Sequence, residues 1–333
     1  MNDLVKDTHE GEEEKKLNFR PQSFDDYVGQ KSVVDNIEVM VMSALRRKAP
    51  LDHILFCGPP GLGKTSLAML VSSQMNAKLH VISGPALERK ADLAAVLTNL
   101  APNDVLFIDE IHRMHISIEE ILYSALEDFR LDIILGQGAS ARTMQIGLNP
   151  FTLIGATTRA GLLSNPLRDR FHCLLNFDYY NEEELQQIIL KNSYKLEIQL
   201  NQLAVSEIAR RSRGTPRIAL RLLRRIRDFA VVADEIHDKV SQHLVQKALK
   251  MLRIDDHGLD SMDLKILQTI KDVYQCGPVG IEALAATLAE DKGTLEDVHE
   301  PYLLKEGYLL RTPRGRVLSE KAITHLKDAA TSL

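Results

Sequence analysis

The sequence is poor in cysteine and has no long apolar run. Its 3 cysteines, Cys57, Cys173 and Cys276, lie far apart. An odd number of widely spaced cysteines argues against a disulfide framework or a zinc site and is typical of a protein of the reducing cytoplasm. No apolar run approaches the ~18 residues of a membrane-spanning helix, so we expect no membrane segment. The acidic N-terminus lacks the apolar stretch of a secretory signal.

The composition favours a folded chain of several domains. The hydrophobic fraction of 44% is ample for real cores, and 333 residues predict two or three domains. Residues 1–16 are rich in glutamate and predict a disordered acidic arm. Residues 17–181 alternate apolar strands with helical stretches, which is typical of an α/β domain with a parallel sheet. The predicted strands are 53–57, 79–82, 104–108 and 151–156.

The rest of the chain predicts two smaller domains. Residues 182–254 show no strand pattern and predict a helical domain that begins after Asn181, a favourable N-cap. Residues 255–333 predict a third domain of three helices and a hairpin, which is typical of a winged helix. Its predicted elements are helices at 262–274 and 281–289, a helix that opens at Thr294, and a hairpin at 308–318.

A complete phosphate-binding loop directly follows the first predicted strand. Gly58–Thr65 reads Gly-Pro-Pro-Gly-Leu-Gly-Lys-Thr, the pattern G-x-x-x-x-G-K-[ST]. Its glycines let backbone N–H groups close around phosphate oxygens. Lys64 would reach the β- and γ-phosphates, and the Thr65 hydroxyl would bind Mg²⁺. A glycine-rich turn is the plainer interpretation, but the helix that begins at Ser66 points its N-terminus toward the same anion.

Two acids close the strand predicted at 104–108. Four apolar residues in a row indicate a strand buried on both faces. Asp109 and Glu110 follow at its carboxyl end, where open α/β sheets bind ligands. Asp109 would hold the Mg²⁺ shell, and Glu110 would orient the attacking water. Alone, this is an ordinary strand that ends in a polar turn; together with Lys64 and Thr65 it predicts a nucleoside triphosphatase.

Arginines are concentrated in two segments, although the net charge is −5. Local patches, not net charge, set phosphate affinity. Eight arginines lie between Arg210 and Arg227 at helical spacing, and we expect most of them to form a solvated face. Arg311, Arg314 and Arg316 lie on a short turn, where they repel one another unless an anion lies between them. We therefore expect DNA phosphate there; a purely solubilising role is the alternative.

Residues 130–148 interrupt the strand–helix alternation. Two apolar arms flank a Gly/Ser/Ala turn, which predicts a projecting hairpin, and the second arm alternates at Met144, Ile146 and Leu148. A hairpin with one apolar face can bury that face against a partner. Packing on its own domain is the alternative.

The ordered motifs resemble those of the RuvB family of AAA+ ATPases, the motors of bacterial Holliday junction branch migration. The resemblance runs from Arg20 to about Ser319. The loop alone is generic, but the ordered set is specific. The segments that carry it are Asp26–Gln30, Gly58–Thr65, Phe107–Arg113, Gly155–Gly161, Pro166–Phe171, Gly214–Arg217, Gly277–Gly280 and Arg311–Arg316.

The resemblance assigns roles around a bound nucleotide. It implies that Arg20, Tyr180 and Pro216 surround the adenine and ribose. It also implies that Thr157 or Thr158 senses the γ-phosphate. The complete set of implied nucleotide contacts is Leu17, Arg20, Gly61, Gly63, Lys64, Thr65, Ser66, Glu127, Asp128, Phe129, Thr157, Thr158, Arg170, Tyr180, Pro216 and Arg217.

The resemblance also implies an assembly. Arg217 would tie the angle of the helical domain to hydrolysis. Arg170 would be the arginine finger that completes the neighbouring subunit's site, although a surface salt bridge is its local alternative. A site completed by a neighbour needs an oligomer, and the family forms hexamers around duplex DNA. The implied cofactors are ATP and Mg²⁺, and the implied partners are double-stranded DNA at four-way junctions, RuvA through the hairpin 130–148, and RuvC.

Two other functions share parts of this pattern. A clamp-loader ATPase has the first two domains, but it usually carries Ser-Arg-Cys near the finger, where this chain has Leu167–Arg170. A transcription regulator that uses ATP as a switch and the winged helix to read DNA would carry the same motifs. ATPase activity stimulated by DNA of any sequence would argue against such a regulator.

Overall fold

The computed structural model of the protein describes residues 19–135, 142–234 and 239–331. The acidic arm predicted at residues 1–16 lies outside the described residues, as do Leu17 and the tip of the hairpin predicted at 130–148. Among the described residues, no helix is long and apolar enough to cross a membrane.

The first domain is an α/β domain built on one parallel sheet. Its five strands lie in the order β2-β3-β6-β1-β7, so the strand that precedes the phosphate loop lies between β6 and β7. The elements are α1 Lys31–Arg47, β1 Ile54–Cys57, α2 Lys64–Gln74, β2 Leu79–Ser83, α3 Lys90–Thr98, β3 Val105–Asp109, α4 Ile116–Glu127, β4 Arg130–Leu135, β5 Arg142–Gly147, β6 Thr152–Thr157, α5 Asn165–Arg168 and β7 Cys173–Asn176.

The sheet is covered on both faces because alternate side chains of its central strands enter different cores. Ile54 and Phe56 of β1 pack with α1 and α2, whereas Leu55 and Cys57 pack with α3 and α4. The four predicted strands are confirmed to within a residue or two. β7 was not predicted, because this edge strand offers only three apolar residues in a row, Cys173–Leu175, between His172 and Asn176.

The second domain is mainly helical and shares a core with the first. Asn181 caps its first helix as predicted, in a capping box with Glu184. The prediction of no strand is wrong in one detail, since two residues of β8 pair in parallel with two of β9, too few to leave a pattern. The elements are α6 Glu182–Lys195, β8 Gln199–Leu200, α7 Gln202–Arg210, α8 Pro216–Val232, β9 Lys239–Val240 and α9 Gln242–Met251.

The third domain is the predicted winged helix, with its own core. Its helices pack around the buried Leu267, Leu303 and Tyr308, and its two strands form an antiparallel hairpin, the wing, in which Arg311 lies opposite Arg316. The elements are α10 Ser261–Asp272, α11 Ile281–Leu288, α12 Lys292–Thr294, α13 Glu300–Lys305, β10 Leu309–Thr312, β11 Gly315–Leu318 and α14 Glu320–Thr331, with one π-helical turn, Leu295–His299, between α12 and α13.

A buried ion cluster joins the second domain to the third. The Arg213 guanidinium lies 2.9 Å from the Asp260 carboxylate and 2.5 Å from that of Asp263. The Nδ1 atom of His299 lies 2.7 Å from the other oxygen of Asp263. Asp260, Asp263 and His299 have the spacing of metal ligands, but here Arg213 supplies the positive charge.

Arg211 makes a second contact across the same junction. It is buried, donates to the Asp255 carbonyl at 3.0 Å and pairs with the Asp256 carboxylate. The predicted solvated face is therefore wrong for Arg211 and Arg213. Arg213 pairs with carboxylates of the next domain, and Arg211 pairs both with Asp256 there and with Glu207 of its own domain. Other arginines of this segment do pair at the surface, as Arg210 does with Glu207.

His299 makes the stability of this junction depend on pH. Burial disfavours its charged form, but the hydrogen bond and charge of Asp263 and the charge of Asp260 outweigh burial and raise the pKa of His299 above 6.5. A raised pKa contributes stability that is fully present below pH 6.5 and is lost as pH rises through the folded-state pKa. We expect His299→Gln to remove this part of the pH dependence, measured as the urea midpoint from about pH 6 to about pH 9.

The exposed His243 provides the matched control. His243→Gln should keep the pH dependence of the unchanged protein. If His299→Gln and the unchanged protein lose stability in parallel as pH rises, His299 does not stabilise the junction by its charge.

Candidate nucleotide-binding site

The phosphate loop runs from β1 to the N-terminus of α2. Gly63 has a φ of 100° and caps α2, and Gly61 has a φ of 84°; both values favour glycine. A Cβ atom at Gly61 would lie 2.9 Å from the Cβ atom of Arg217, so a side chain there would push the second domain away. The loop thus leaves its backbone N–H groups and the helix N-terminus facing one space.

Lys64 is held inside the loop. Its Nζ atom donates to the Gly58 carbonyl at 2.7 Å and to the Pro59 carbonyl at 2.8 Å. Burial lowers the pKa of Lys64, although the charges of Glu110 and Asp109 act in the opposite direction. The ammonium is positioned where phosphate oxygens can replace the two carbonyls.

The end of β3 brings Glu110 toward the loop. Glu110 has a φ of 49°, a left-handed conformation that is uncommon outside glycine and turns its side chain from the strand. The Thr158 hydroxyl donates to Glu110 Oε2 at 3.3 Å. Burial and the neighbouring Asp109 charge raise the pKa of Glu110. A carboxylate with a raised pKa is a better base for water than an ordinary surface glutamate.

The structure distinguishes between the two threonines that end β6. Thr157 is fully buried, and its hydroxyl lies 2.9 Å from Nδ1 of His112. Thr158 contacts Glu110 instead. Of the two predicted sensors, Thr158 is therefore the one beside the candidate base.

The predicted phosphate and metal residues line one space of about 300 Å³, which we call the phosphate cavity. Thr65 and Asp109 offer a hydroxyl and a carboxylate oxygen, the hard ligands that Mg²⁺ takes in proteins. The donor set therefore fits a magnesium ion bound with phosphates. The lining residues are Arg20, Pro60, Gly61, Gly63, Lys64, Thr65, Ser66, Asp109, Glu110, Pro216, Arg217 and Leu220.

An apolar space adjoins the phosphate cavity and shares Gly63, Ser66, Pro216 and Leu220 with it; we call it the base cavity. Tyr180 closes one side and donates its hydroxyl to the Leu62 carbonyl at 3.2 Å. Burial raises the pKa of Tyr180 to about 12, so this donor stays protonated. The remaining lining residues are Phe19, Pro21, Asp26, Tyr27, Val28, Ile188, Lys191 and Asn192.

The second domain contacts the phosphate loop directly. The backbone N–H of Arg217 donates to the Gly61 carbonyl at 3.3 Å, where α8 begins. Arg217 also lines the phosphate cavity, as predicted. The start of α8 is therefore the part of the second domain that lies directly against the loop.

Six predicted nucleotide contacts are absent from the lining of both cavities: Glu127, Asp128, Phe129, Thr157, Thr158 and Arg170. Thr158 still contacts Glu110, which does line the phosphate cavity. The Arg170 guanidinium pairs with Glu127 at 2.9 Å and lies 5.0 Å from the centre of the Tyr123 ring. Within one chain Arg170 thus forms a surface salt bridge, as in its local alternative, but with Glu127 rather than with its sequence neighbour Asp169.

The wing arginines do not all face outward. Arg316 is mostly buried and contacts Glu300 at 2.6 Å and Glu296 at 3.1 Å. Arg311 pairs with the same Glu300. The expectation that these arginines need an outside anion is therefore wrong, because Glu300 lies between them. Arg314 at the tip is exposed, and among the described residues no ion pair of its side chain is found.

Arg159 is a contact that the sequence did not predict. It follows Thr158 directly, and its guanidinium contacts Asp297 at 2.5 Å and Glu296 at 3.1 Å. Glu296 also contacts Arg316 of the wing. Nothing in the local pattern pointed to Arg159, since its partners lie in the third domain.

The base of the hairpin predicted at 130–148 packs on its own domain. Ile146 and Leu148 are partly buried against the core that contains α3 and α4, and Leu131 is fully buried there. The outward apolar face expected at these positions is wrong for Ile146 and Leu148. Met144 is 44% exposed.

Comparison with known proteins covers all three domains. Three family models match in order: the Holliday junction DNA helicase RuvB P-loop domain at residues 19–177, the RuvB AAA lid domain at 180–255 and the RuvB C-terminal winged helix domain at 256–327. The chain belongs to the RuvB family. We call its second domain the lid from here on.

Individual RuvB proteins are similar along nearly the whole chain. The Holliday junction branch migration complex subunit RuvB of Anaeromyxobacter sp. (strain K) is 51% identical over 98% of this chain and 95% of its own. That of Pseudothermotoga lettingae is 51% identical over 93% and 90%. The solved structure of Thermotoga maritima RuvB, titled a Holliday junction branch migration motor, is 48% identical, with a TM-score of 0.85 over 93% of this chain and 98% of that one.

We expect Glu110→Gln to keep ATP binding and to abolish ATP turnover, because glutamine fills the same space but cannot accept a proton from water. Turnover of the unchanged protein should fall on acidification with a midpoint above 4.5, the ordinary pKa of glutamate. Steady-state ATPase rates and nucleotide titrations measure both effects. Glu120→Gln, at an exposed position of α4, is the matched control. Equal losses of binding and turnover in Glu110→Gln would contradict a base that acts on water.

Proposed function

We propose that this protein is a cytoplasmic, ATP-driven translocase of double-stranded DNA that powers branch migration of Holliday junctions in recombination and repair. It acts as a hexameric ring with RuvA and RuvC. The observation that carries the proposal is the phosphate cavity, which residues of two domains line together. The chain that forms it is 51% identical to a RuvB protein over 98% of its length.

The phosphate cavity supports ATP hydrolysis by positioning and charge. Lys64 would neutralise phosphate oxygens, and Thr65 and Asp109 would hold Mg²⁺, which would supply further positive charge to the phosphates. Glu110 accepts a proton from the attacking water while Thr158 holds its carboxylate. The reaction needs no covalent intermediate with the protein.

The separation of Arg170 from the cavity supports an assembled site. Arg170 lies with Glu127, beside Asp128 and Phe129, on a part of the surface outside its own cavities. Because these four residues lie outside the cavities of their own subunit, they would contact a nucleotide that is bound in a neighbouring subunit. Repeating one head-to-tail contact generates a ring when the rotation between neighbours closes, and a rotation of about 60° gives the proposed hexamer.

Two contacts support the transfer of motion to DNA. Arg217 binds the phosphate loop through Gly61, so the lid follows the state of the nucleotide. Arg213 fixes the winged helix to the lid through Asp260 and Asp263. A rotation of the lid therefore carries the winged helix with it, as in hinge motions of other ATPases.

The wing and the hairpin are the proposed partner surfaces. Arg314 at the exposed wing tip suits a DNA phosphate, with Arg311 and Arg316 shaping the wing through Glu300. The hairpin 130–148 is the proposed RuvA contact, with Met144 as its exposed apolar residue.

We expect Arg170→Ala to keep ATP binding and to lower turnover by roughly 10³–10⁵-fold, the range of arginine fingers supplied in trans. Lys64→Ala should be inactive for a different reason, the loss of the charge in its own loop. Mixed in equal amounts, the two inactive proteins should regain part of the ATPase activity, since a mixed ring contains intact sites. Co-assembly without any recovery would show that Arg170 acts within its own subunit.

We expect duplex DNA of any sequence to stimulate ATP turnover, and Arg314→Ala to weaken that stimulation and DNA binding. Each lost phosphate contact should flatten the plot of log affinity against log salt by roughly 0.9. Affinities for two unrelated duplexes and a four-way junction, taken across a salt series, measure the effect. Arg46→Ala, an exposed arginine of α1, is the control. A loss confined to one duplex would instead support a sequence-reading regulator.

A further inference from the structure

Asn192 is a buried amide of the lid that lines the base cavity. It lies on α6 and is 3% exposed. Its Nδ2 atom donates to the Ile188 carbonyl, one turn earlier, at 2.7 Å. Among the described residues, its Oδ1 atom is the one buried side-chain nitrogen or oxygen without a hydrogen-bond partner.

The backbone determines which end of the Asn192 side-chain amide lacks a hydrogen-bond partner. The Ile188 carbonyl can only accept a hydrogen bond, so the –NH₂ end of Asn192 must face it. The oxygen therefore points away as a pure acceptor. Buried acceptors are nearly always paired in folded proteins, and Asn192 lines the base cavity, so a ligand bound there can supply the missing donor.

The walls of the base cavity favour a flat aromatic ligand. Phe19, Val28, Tyr180 and Ile188 give apolar surface, and the cavity opens onto the phosphate loop through Gly63. Lys191, the charged residue of α6 that lines this cavity, is paired with Asp26. The unpaired oxygen of Asn192 is thus the group on this helix that remains to read the edge of a base.

We propose that Asn192 Oδ1 accepts a hydrogen bond from the 6-amino group of adenine and so selects adenine over guanine nucleotides. Adenine presents a donor at that position, whereas guanine presents a carbonyl oxygen that would face the amide oxygen and repel it. The proposal rests on the nucleotide binding proposed above. It adds to that function a residue that determines base specificity.

The test removes each partner of the hydrogen bond in turn. The affinities of the full chain are measured for ATP, for purine riboside triphosphate, which lacks the 6-amino group, and for GTP. The unchanged protein should bind ATP about 10-fold more tightly than purine riboside triphosphate, since the lost hydrogen bond leaves Asn192 unpaired. Asn192→Ala should bind ATP and purine riboside triphosphate with equal affinity. The ratio of its affinities for ATP and GTP should be smaller than that of the unchanged protein.

The neighbouring Ser193 provides the control. It is buried on the same helix, bonds to the Leu190 carbonyl and does not line the cavity. Ser193→Ala should keep the preference of the unchanged protein. If Asn192→Ala weakens both nucleotides by the same factor, Asn192 is structural and the inference is wrong. Equal affinities in the unchanged protein would also overturn the inference but leave the proposed function standing, whereas a failure to bind any nucleoside triphosphate would overturn both.

Discussion

The placement of the second domain over the nucleotide site depends on the hydrogen bond between the backbone N–H of Arg217 and the Gly61 carbonyl. It brings the start of α8 against the phosphate loop, so that Pro216 and Leu220 help to line both cavities. Neither domain contains a complete nucleotide site alone. The absence of a side chain at Gly61 is what permits this approach, since a Cβ atom would meet Arg217. The nucleotide site therefore lies at the boundary between the two domains.

Short-range patterns made the fold and much of the site predictable. The phosphate loop, the acids after β3 and the capping box at Asn181 each depend on residues within a few positions of one another, and each is found where the sequence predicted it. Patterns of this kind report backbone geometry and burial, which are local properties. The family resemblance extended them to Tyr180, Pro216 and Arg217, which do line the cavities.

Long-range charge pairing made the rest unpredictable. Mutual repulsion was expected in the wing because its arginines are neighbours in sequence. In the folded chain, Glu300 on α13 lies between Arg311 and Arg316. The spacing of Arg211 and Arg213 suggested a solvated helix face, yet both are buried and each pairs with a carboxylate of the next domain. The partners of Arg159 lie more than 130 residues along the chain. Only the folded chain reveals which charge is opposite which.

The winged helix is attached by two unlike sets of ion pairs. The Arg213 cluster is buried, and breaking such a pair leaves an uncompensated charge at a cost of about 3–5 kcal/mol. The Arg159 pairs are partly exposed and open to screening by salt. The joint between the lid and the winged helix is therefore the stronger attachment, and the contact of Arg159 with the winged helix is the one that salt weakens first. Under the proposed function, a rise in ionic strength would free the winged helix from the first domain while leaving it fixed to the lid.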